Sequence, residues 1–113
     1  MSWPRFSDLQ PVTLLFLRKG PNWTAEDSDA ARQLQLDHLA FLKSVRDTGH
    51  AAIVGPMLDS SDLRAACVYF VPIDEALTLA AEDPAVRAGN LVVEAHPWMV
   101  EKVALEYRPP TSS

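Results

Sequence analysis

The apolar residues of the chain form several short runs, and their composition and spacing predict four β-strands. Residues 12–17 and 63–71 are nearly continuous apolar runs rich in β-branched and aromatic side chains, which is typical of buried strands. Residues 50–54 predict a strand that forms a hairpin with 63–71, because residues 55–62 between them are rich in turn formers. Residues 91–99 predict the last strand.

Three helices are predicted between these strands. Residues 28–48 show apolar positions at helical spacing, and Gly49 follows them at the position where many helices end. Residues 72–82 predict a second helix, with a proline near its first turn and acidic residues early. Residues 84–89 predict a short third helix that begins at an Asp-Pro pair. The apolar stripe of the first helix consists of Ala31, Leu34, His38, Phe41, Leu42 and Val45.

The predicted order of elements is βαββαβ, which indicates an α+β sandwich of two layers. Where a connection that contains a helix joins neighbouring strands, those strands are expected to pair in parallel. The strands at 12–17 and 63–71 carry apolar residues on both faces, whereas the two main helices can cover only one face of a four-stranded sheet. A second copy of the chain is therefore expected to cover the other face, which gives a sheet-on-sheet homodimer.

Composition and charge narrow the classes of function. The chain has 113 residues and a mass of 12.5 kDa, the size of one domain. Its 10 Lys and Arg residues against 15 Asp and Glu give a net charge of -5, which disfavours nucleic acid and anionic membranes as partners. A single cysteine, Cys67, excludes an intramolecular disulfide and a cysteine-based zinc site. No targeting segment is apparent, so a cytoplasmic location is expected.

His38 is the first candidate for chemistry, because it occupies a helix position where a leucine would pack better. A buried imidazole loses roughly 1–3 kcal/mol unless it finds a hydrogen-bond partner. One interpretation is a core histidine that a carbonyl or a carboxylate satisfies. The other is a general base, since histidine titrates near neutral pH and the helix would hold it rigidly. Sequence spacing alone leaves both open.

Asp83 is the best candidate for a partner of His38. An aspartate before a proline at a helix start is a routine N-cap. A carboxylate can also orient an imidazole and stabilise its charged form. The two roles are compatible, with one oxygen for the cap and the other for the ring.

Metal and thiol chemistry are not expected from the pattern of residues. The chain has three histidines, but none stands at a helical spacing of i, i+3 or i, i+4 from another ligand in a way that predicts a metal site. Cys67 is flanked by apolar strand residues, which favours a buried packing role over a nucleophile.

Three segments together resemble the YCII-related (YciI-like) family: DHLAFLKSVRDTG at 37–49, GPMLDSSDLR at 55–64 and EDPAVRAGNLVVEAHPWM at 82–99. The likeness covers residues 12–99. It implies a ferredoxin-like fold that dimerises into an α+β barrel, and a His–Asp pair as the active site, which in this chain is His38 and Asp83. It also implies lyase-like chemistry on small ring compounds, a proton transfer for which no metal or organic cofactor is required.

Four further residues are candidates for substrate binding. Trp23 before the first helix and Trp98 near the end of the last strand would form apolar walls for a planar ligand, or would serve ordinary packing. Arg18 at the end of the first strand would hold an anionic substituent, or is simply solvated. His96 shares a strand face with Trp98 and would line a cleft between subunits, or form a plain dimer contact.

These observations divide the chain into an N-terminal extension at 1–10, a YCII-like α+β domain at 11–100 and a C-terminal tail at 101–113. Two functions stay open. The first is a small cofactor-independent enzyme, in which His38 and Asp83 transfer a proton in a lyase- or isomerase-type reaction on a small cyclic substrate. The alternative is a non-catalytic homodimer that binds a small molecule or has a structural role, with the pair as a buried contact.

Overall fold

The computed structural model describes residues 5–106, and its elements follow the predicted βαββαβ order. The first and last strands along the chain, β1 (Leu9–Lys19) and β4 (Leu91–Glu101), are longer than predicted, because they pair with each other over their whole length. Hydrogen bonds between the two backbones thus keep the polar residues at the strand ends in the sheet, although the apolar pattern does not predict a strand there. The elements are a 3₁₀ turn Phe6–Asp8, β1 Leu9–Lys19, α1 Asp29–Asp47, β2 Ala51–Pro56, β3 Leu63–Tyr69, α2 Ile73–Ala80, α3 Pro84–Arg87, β4 Leu91–Glu101 and a 3₁₀ turn Lys102–Glu106.

The four strands form one sheet in the order β2-β3-β1-β4, and every neighbouring pair is antiparallel. Each connection that contains a helix skips one strand, so β1 and β2 are separated by β3, and β3 and β4 by β1. The parallel pairing expected for neighbours joined through a helix therefore does not arise in this sheet. The α+β, ferredoxin-like fold predicted from the sequence is confirmed.

The core lies between the helices and one face of the sheet. The strands bury alternate side chains there, as a period of two requires. The helix α1 contributes Leu42 and Val45, whereas α2 and α3 contribute alanines. The most deeply buried members are Leu15, Leu17, Ala65, Cys67, Tyr69, Ala76, Ala80 and Ala85.

The opposite face of the sheet carries several large apolar side chains beside a few charged ones, and has no helix against it within the described residues. Trp98 is 46% exposed on β4, and Ile53 is 62% exposed on β2. Phe16 of the central strand lies edge-on to His96, with 6.3 Å between the ring centroids. The predicted uncovered face is thus present, and the second copy that would cover it stays a prediction.

Local signals in the sequence position α1 and the connection before it. Ser28 is the N-cap, and its hydroxyl accepts a hydrogen bond from the Ala31 amide. Gly49 follows the helix with a φ of 83°, a left-handed conformation that suits glycine.

No helix in residues 5–106 is long and apolar enough to cross a bilayer.

The segment after β1 is fastened to the turn before β4. The amides of Gly20 and Asn22 donate to the carbonyls of Asn90 and Gly89, each at 2.9 Å. A Cβ atom on Gly20 would collide with the carbonyl oxygen of Gly89, so glycine is required for this close approach. The connection that leads into α1 therefore starts from a fixed position beside α3.

Candidate active site

A cavity of about 520 Å³ opens between α1, the β2–β3 hairpin, α3 and the connection that carries Trp23. This volume lies within the range of pockets that bind small organic molecules. Its walls combine apolar side chains with a comparable share of polar surface. Representative lining residues are Trp23, Leu34, His38, Met57, Arg64 and Ala85.

His38 and Asp83 meet beside this cavity. The Nδ1 atom of His38 lies 2.6 Å from Oδ2 of Asp83, and the two side chains are 7% and 1% exposed. The other carboxylate oxygen of Asp83 accepts the amide hydrogen of Ala85 at 2.9 Å and so caps α3. The cap and the contact with the ring, which the sequence left as compatible roles, are therefore both present in the structure.

This contact determines which nitrogen of His38 is available to a ligand. A carboxylate acceptor at Nδ1 places the hydrogen there in the neutral imidazole, which leaves the lone pair on Nε2. Within residues 5–106 Nε2 has no hydrogen-bond partner, and His38 lines the cavity. The arrangement can accept a proton at Nε2 and stabilise the resulting imidazolium through Asp83.

The buried carboxylate also affects its neighbours in the core. Burial, and secondly the charge of Asp83, raises the pKa of the Cys67 thiol to about 12. Burial is also the largest cause that raises the pKa of Tyr69, and the negative charges of Cys67 and then of Asp83 add smaller effects. Cys67 is 1% exposed and packs within the core cluster, as the sequence predicts.

Trp23 is placed at the cavity, as the sequence analysis proposed for a substrate wall. Its ring is half-buried among the lining residues, and the ammonium group of Lys19 lies 4.3 Å from the ring centroid. This cation–π contact holds the indole against the end of β1. Its role in binding a substrate stays a prediction.

The other three candidate binding residues lie on the opposite face of the sheet, outside the cavity. The Nε atom of Arg18 donates to Glu94 at 2.6 Å, and His96 contacts the other oxygen of Glu94 at 2.7 Å. The Arg18 hydrogen bond, and secondly that of His96, lowers the pKa of Glu94. Trp98 lies on the same face. The structure therefore does not bring Arg18, His96 and Trp98 together with the His38–Asp83 pair.

Arg64 lines the cavity and was not among the residues that sequence reasoning singled out. In the sequence it is the one charged residue of the predicted strand 63–71 and it follows a turn, which is typical of a solvated strand end. The only available signal was this charge next to an otherwise apolar run. Its orientation depends on a strand irregularity that the sequence pattern does not show.

Residues 5–106 contain no group of three or more His, Cys, Asp and Glu side chains arranged to hold a metal ion. The polar groups at the cavity are instead one imidazole, one guanidinium and several amides and hydroxyls. The chemistry that these residues themselves supply is proton transfer and the binding of anions.

Comparison with known proteins bears on the fold. Neither the family models nor the curated proteins compared with the chain match it. Among solved structures it is similar to 5-chloro-2-hydroxyhydroquinone dehydrochlorinase (TftG) from Burkholderia phenoliruptrix AC1100, in complex with 2,5-dihydroxybenzoquinone. The identity is 18% and the TM-score 0.57, over 77% of this chain and 92% of that one. The likeness shows a shared fold, which is the ferredoxin-like α+β fold described above.

Proposed function

We propose that the protein is a small-molecule enzyme of the lyase or isomerase type, in which His38 is the general base and acid and Asp83 orients and stabilises it. One observation carries this proposal: a buried pair with Nδ1 and Oδ2 2.6 Å apart borders a cavity large enough for a small ring compound. A histidine held in this way keeps its remaining nitrogen, Nε2, free to act on a compound in the cavity that His38 lines.

In the proposed reaction, Nε2 of His38 removes a proton from a hydroxyl group or a carbon of the bound ring. In an elimination, the electron pair released by that proton expels a leaving group from the ring. In an isomerisation, the imidazolium returns the proton at another atom. Asp83 stabilises the imidazolium in both cases, and the step needs no group beyond those of the chain and the substrate.

The substrate class that we propose is a small, planar, hydroxylated ring. Trp23 and the apolar residues of α1 give the cavity flat apolar surfaces, which suit such a ring. The similar protein TftG, whose name describes a dehydrochlorinase of a hydroquinone, was solved with a dihydroxylated quinone. The three sequence segments that resemble the YCII-related family support the same class, and we propose that the chain belongs to that family.

We further propose that the protein is a homodimer in which two sheets pack face to face. The free face contains large apolar side chains on the central strand and on β4, and monomeric proteins rarely expose a patch of that kind. The Arg18–Glu94–His96 cluster lies at the same face, so its charges would be neutralised inside such an interface.

The experiment that tests the enzymatic proposal is a screen of chlorinated and hydroxylated hydroquinones and of lactones, followed by absorbance and by release of chloride. We expect wild type and His50→Gln to turn over a compound that His38→Gln does not. His50 is a matched control, because it is a histidine that contacts Thr48 and does not line the cavity. Equal turnover in His38→Gln and wild type would contradict the proposal.

The alternative, a non-catalytic homodimer, predicts a different result from the same variants. If no compound is turned over by wild type, and His38→Gln only lowers the temperature of unfolding, the pair is a structural contact. Circular dichroism of each variant separates loss of turnover from loss of the fold.

A further inference from the structure

Arg64 is placed at the cavity by an irregularity in the pairing of β1 with β3. The register passes from Leu17↔Ala65 directly to Arg18↔Leu63, so Arg64 has no partner on β1. In a regular strand, neighbouring side chains point to opposite faces, yet Arg64 and Ala65 both line the cavity. The bulge therefore brings a cationic side chain to the helix-covered side of the sheet.

The guanidinium of Arg64 is only partly satisfied by the protein. Its Nη2 atom donates to the carbonyl oxygen of Asp59 at 2.7 Å, and lies 3.5 Å from the Asp59 carboxylate. That carboxylate is 67% exposed and already accepts hydrogen bonds from the amide and the hydroxyl of Ser61. The Nε atom of Arg64 is buried and has no partner within residues 5–106. A buried donor without an acceptor is rare in folded proteins.

The charge of the residues that line the cavity also indicates a site for an anion. Of the described residues that line it, Arg64 is the only one with a permanent charge, and no Asp, Glu or Lys is among them. The carboxylate of Asp83 lies behind His38 and is engaged by the ring and by Ala85. A ligand in the cavity therefore contacts one cationic side chain, the guanidinium of Arg64, and the protein does not use all of its N–H donors.

We propose that Arg64 binds an anionic oxygen group, a carboxylate or a phenolate, of the ring compound that occupies the cavity. A guanidinium matches such a group through paired charge-assisted hydrogen bonds. This inference deepens the proposed function, since it names the charge class of the substrate for the same cavity. It concerns binding, and so it is tested without turnover.

The test is calorimetric titration with two matched pairs of probes, benzoate against benzamide and salicylate against salicylamide. Each pair keeps the ring and replaces the anionic carboxylate by a neutral carboxamide of similar shape. We expect wild type to bind the anion at least about tenfold more tightly than the amide, the usual effect of one charge-assisted hydrogen bond. Arg64→Gln removes this preference, whereas Arg64→Lys retains part of it because the charge remains.

Arg46→Gln is the matched control, because Arg46 is an exposed arginine of α1 that does not line the cavity. It removes the same charge and should leave the preference unchanged. Equal affinity for anion and amide, binding of neither, or a preference that survives Arg64→Gln overturns the inference. In His38→Gln we expect the preference to persist, so a failure of the catalytic proposal and a failure of this one are distinguishable.

Discussion

His38 and Asp83 are 45 positions apart in the sequence, and their side chains meet at 2.6 Å. The contact joins the middle of α1 to the turn between α2 and α3. Asp83 also caps α3 through the amide of Ala85, so one carboxylate positions both a helix and an imidazole. This relationship allows the orientation of the ring and the stability of the core to be tested separately.

Asp83→Asn should reverse the tautomer of His38 while the helix cap is kept. Asparagine is as good an N-cap as aspartate, but its amide NH₂ donates to the ring nitrogen that the carboxylate accepted from. We expect the hydrogen on Nδ1 in wild type and on Nε2 in the variant, measured by long-range ¹H–¹⁵N correlation of the ring. Any turnover should fall by roughly 10⁴, as for the same change in serine protease triads.

The control for this prediction is Asp37→Asn, which changes the neighbouring carboxylate of α1. Asp37 accepts a hydrogen bond from Gln33 and has no contact with His38. An identical tautomer in wild type and Asp83→Asn would show that the carboxylate does not determine the position of the hydrogen.

His38→Leu should destabilise the fold even though leucine suits the apolar stripe of α1. The substitution leaves Oδ2 of Asp83 without a partner at 1% exposure, and loss of one member of a buried pair costs about 3 kcal/mol. The double variant His38→Leu/Asp83→Asn removes the unpaired charge, so it should lose less than the sum of the two single variants. Urea unfolding measures all three, and strictly additive losses would argue against an energetic coupling.

The helices, and the order in which helices and strands follow one another along the chain, could be predicted from the sequence because their signals are local. Ser28, Gly49 and the Asp83-Pro84 pair mark helix ends, and the structure confirms each of them. The ends of β1 and β4 could not be predicted, because the backbone of the partner strand holds their polar residues. The strand order likewise depends on packing between distant segments.

Glu94 should contribute to stability in a pH-dependent way. Its hydrogen bonds with Arg18 and His96 lower its pKa in the folded protein below the ordinary value of 4.5. A carboxyl with a lowered pKa stabilises the fold fully above that ordinary value, and the contribution is lost as the pH falls through the lowered one. We expect Glu94→Gln to lower the urea midpoint at pH 7, and the difference from wild type to shrink at acidic pH.

The control for this prediction is the salt dependence of the difference in urea midpoint. The Glu94 side chain is 36% exposed, so dissolved salt can screen its charge. At about 1 M salt the screening length is about 3 Å, so the difference between Glu94→Gln and wild type should decrease. A difference that grows on acidification would mean that the carboxylate destabilises the fold.

Phe16→Glu should convert the proposed homodimer into a folded monomer. Phe16 lies on the central strand of the free face, opposite Ala66 on β3 and Glu94 on β4. A new carboxylate there would be buried without a partner in a sheet-on-sheet interface. Leu36→Glu is the control, since Leu36 is 61% exposed on α1 and should not affect assembly. Sedimentation measures both, and a monomeric wild type at micromolar concentration would contradict the proposal.

The candidate site could be predicted only in part, for a physical reason that differs between residues. His38 stood out because an imidazole replaced leucine in an apolar stripe, and Asp83 because it opened a helix. Whether the two meet depends on how α1 packs against α3, which helical spacing does not encode. Arg64 reaches the cavity through a bulge, and a one-residue change of register reverses the face of every following side chain. Arg18 was chosen for its place at a strand end and lies on the other face.

The double use of Asp83 has a consequence for how such a protein changes specificity. Ala85 and Ala88 of the α3 segment form part of the cavity wall, and the same segment holds the base through its cap. This wall of the cavity and the imidazole of His38 are thus tied to the same carboxylate, so a substitution that shifts α3 would also shift the ring. A substitution that admits a larger or smaller ligand would disturb the pair less on the opposite side of the cavity, where Trp23 lies on the connection before α1 and Met57 on the β2–β3 hairpin. Changes in those two segments would therefore alter the shape of the cavity and leave the His38–Asp83 contact in place.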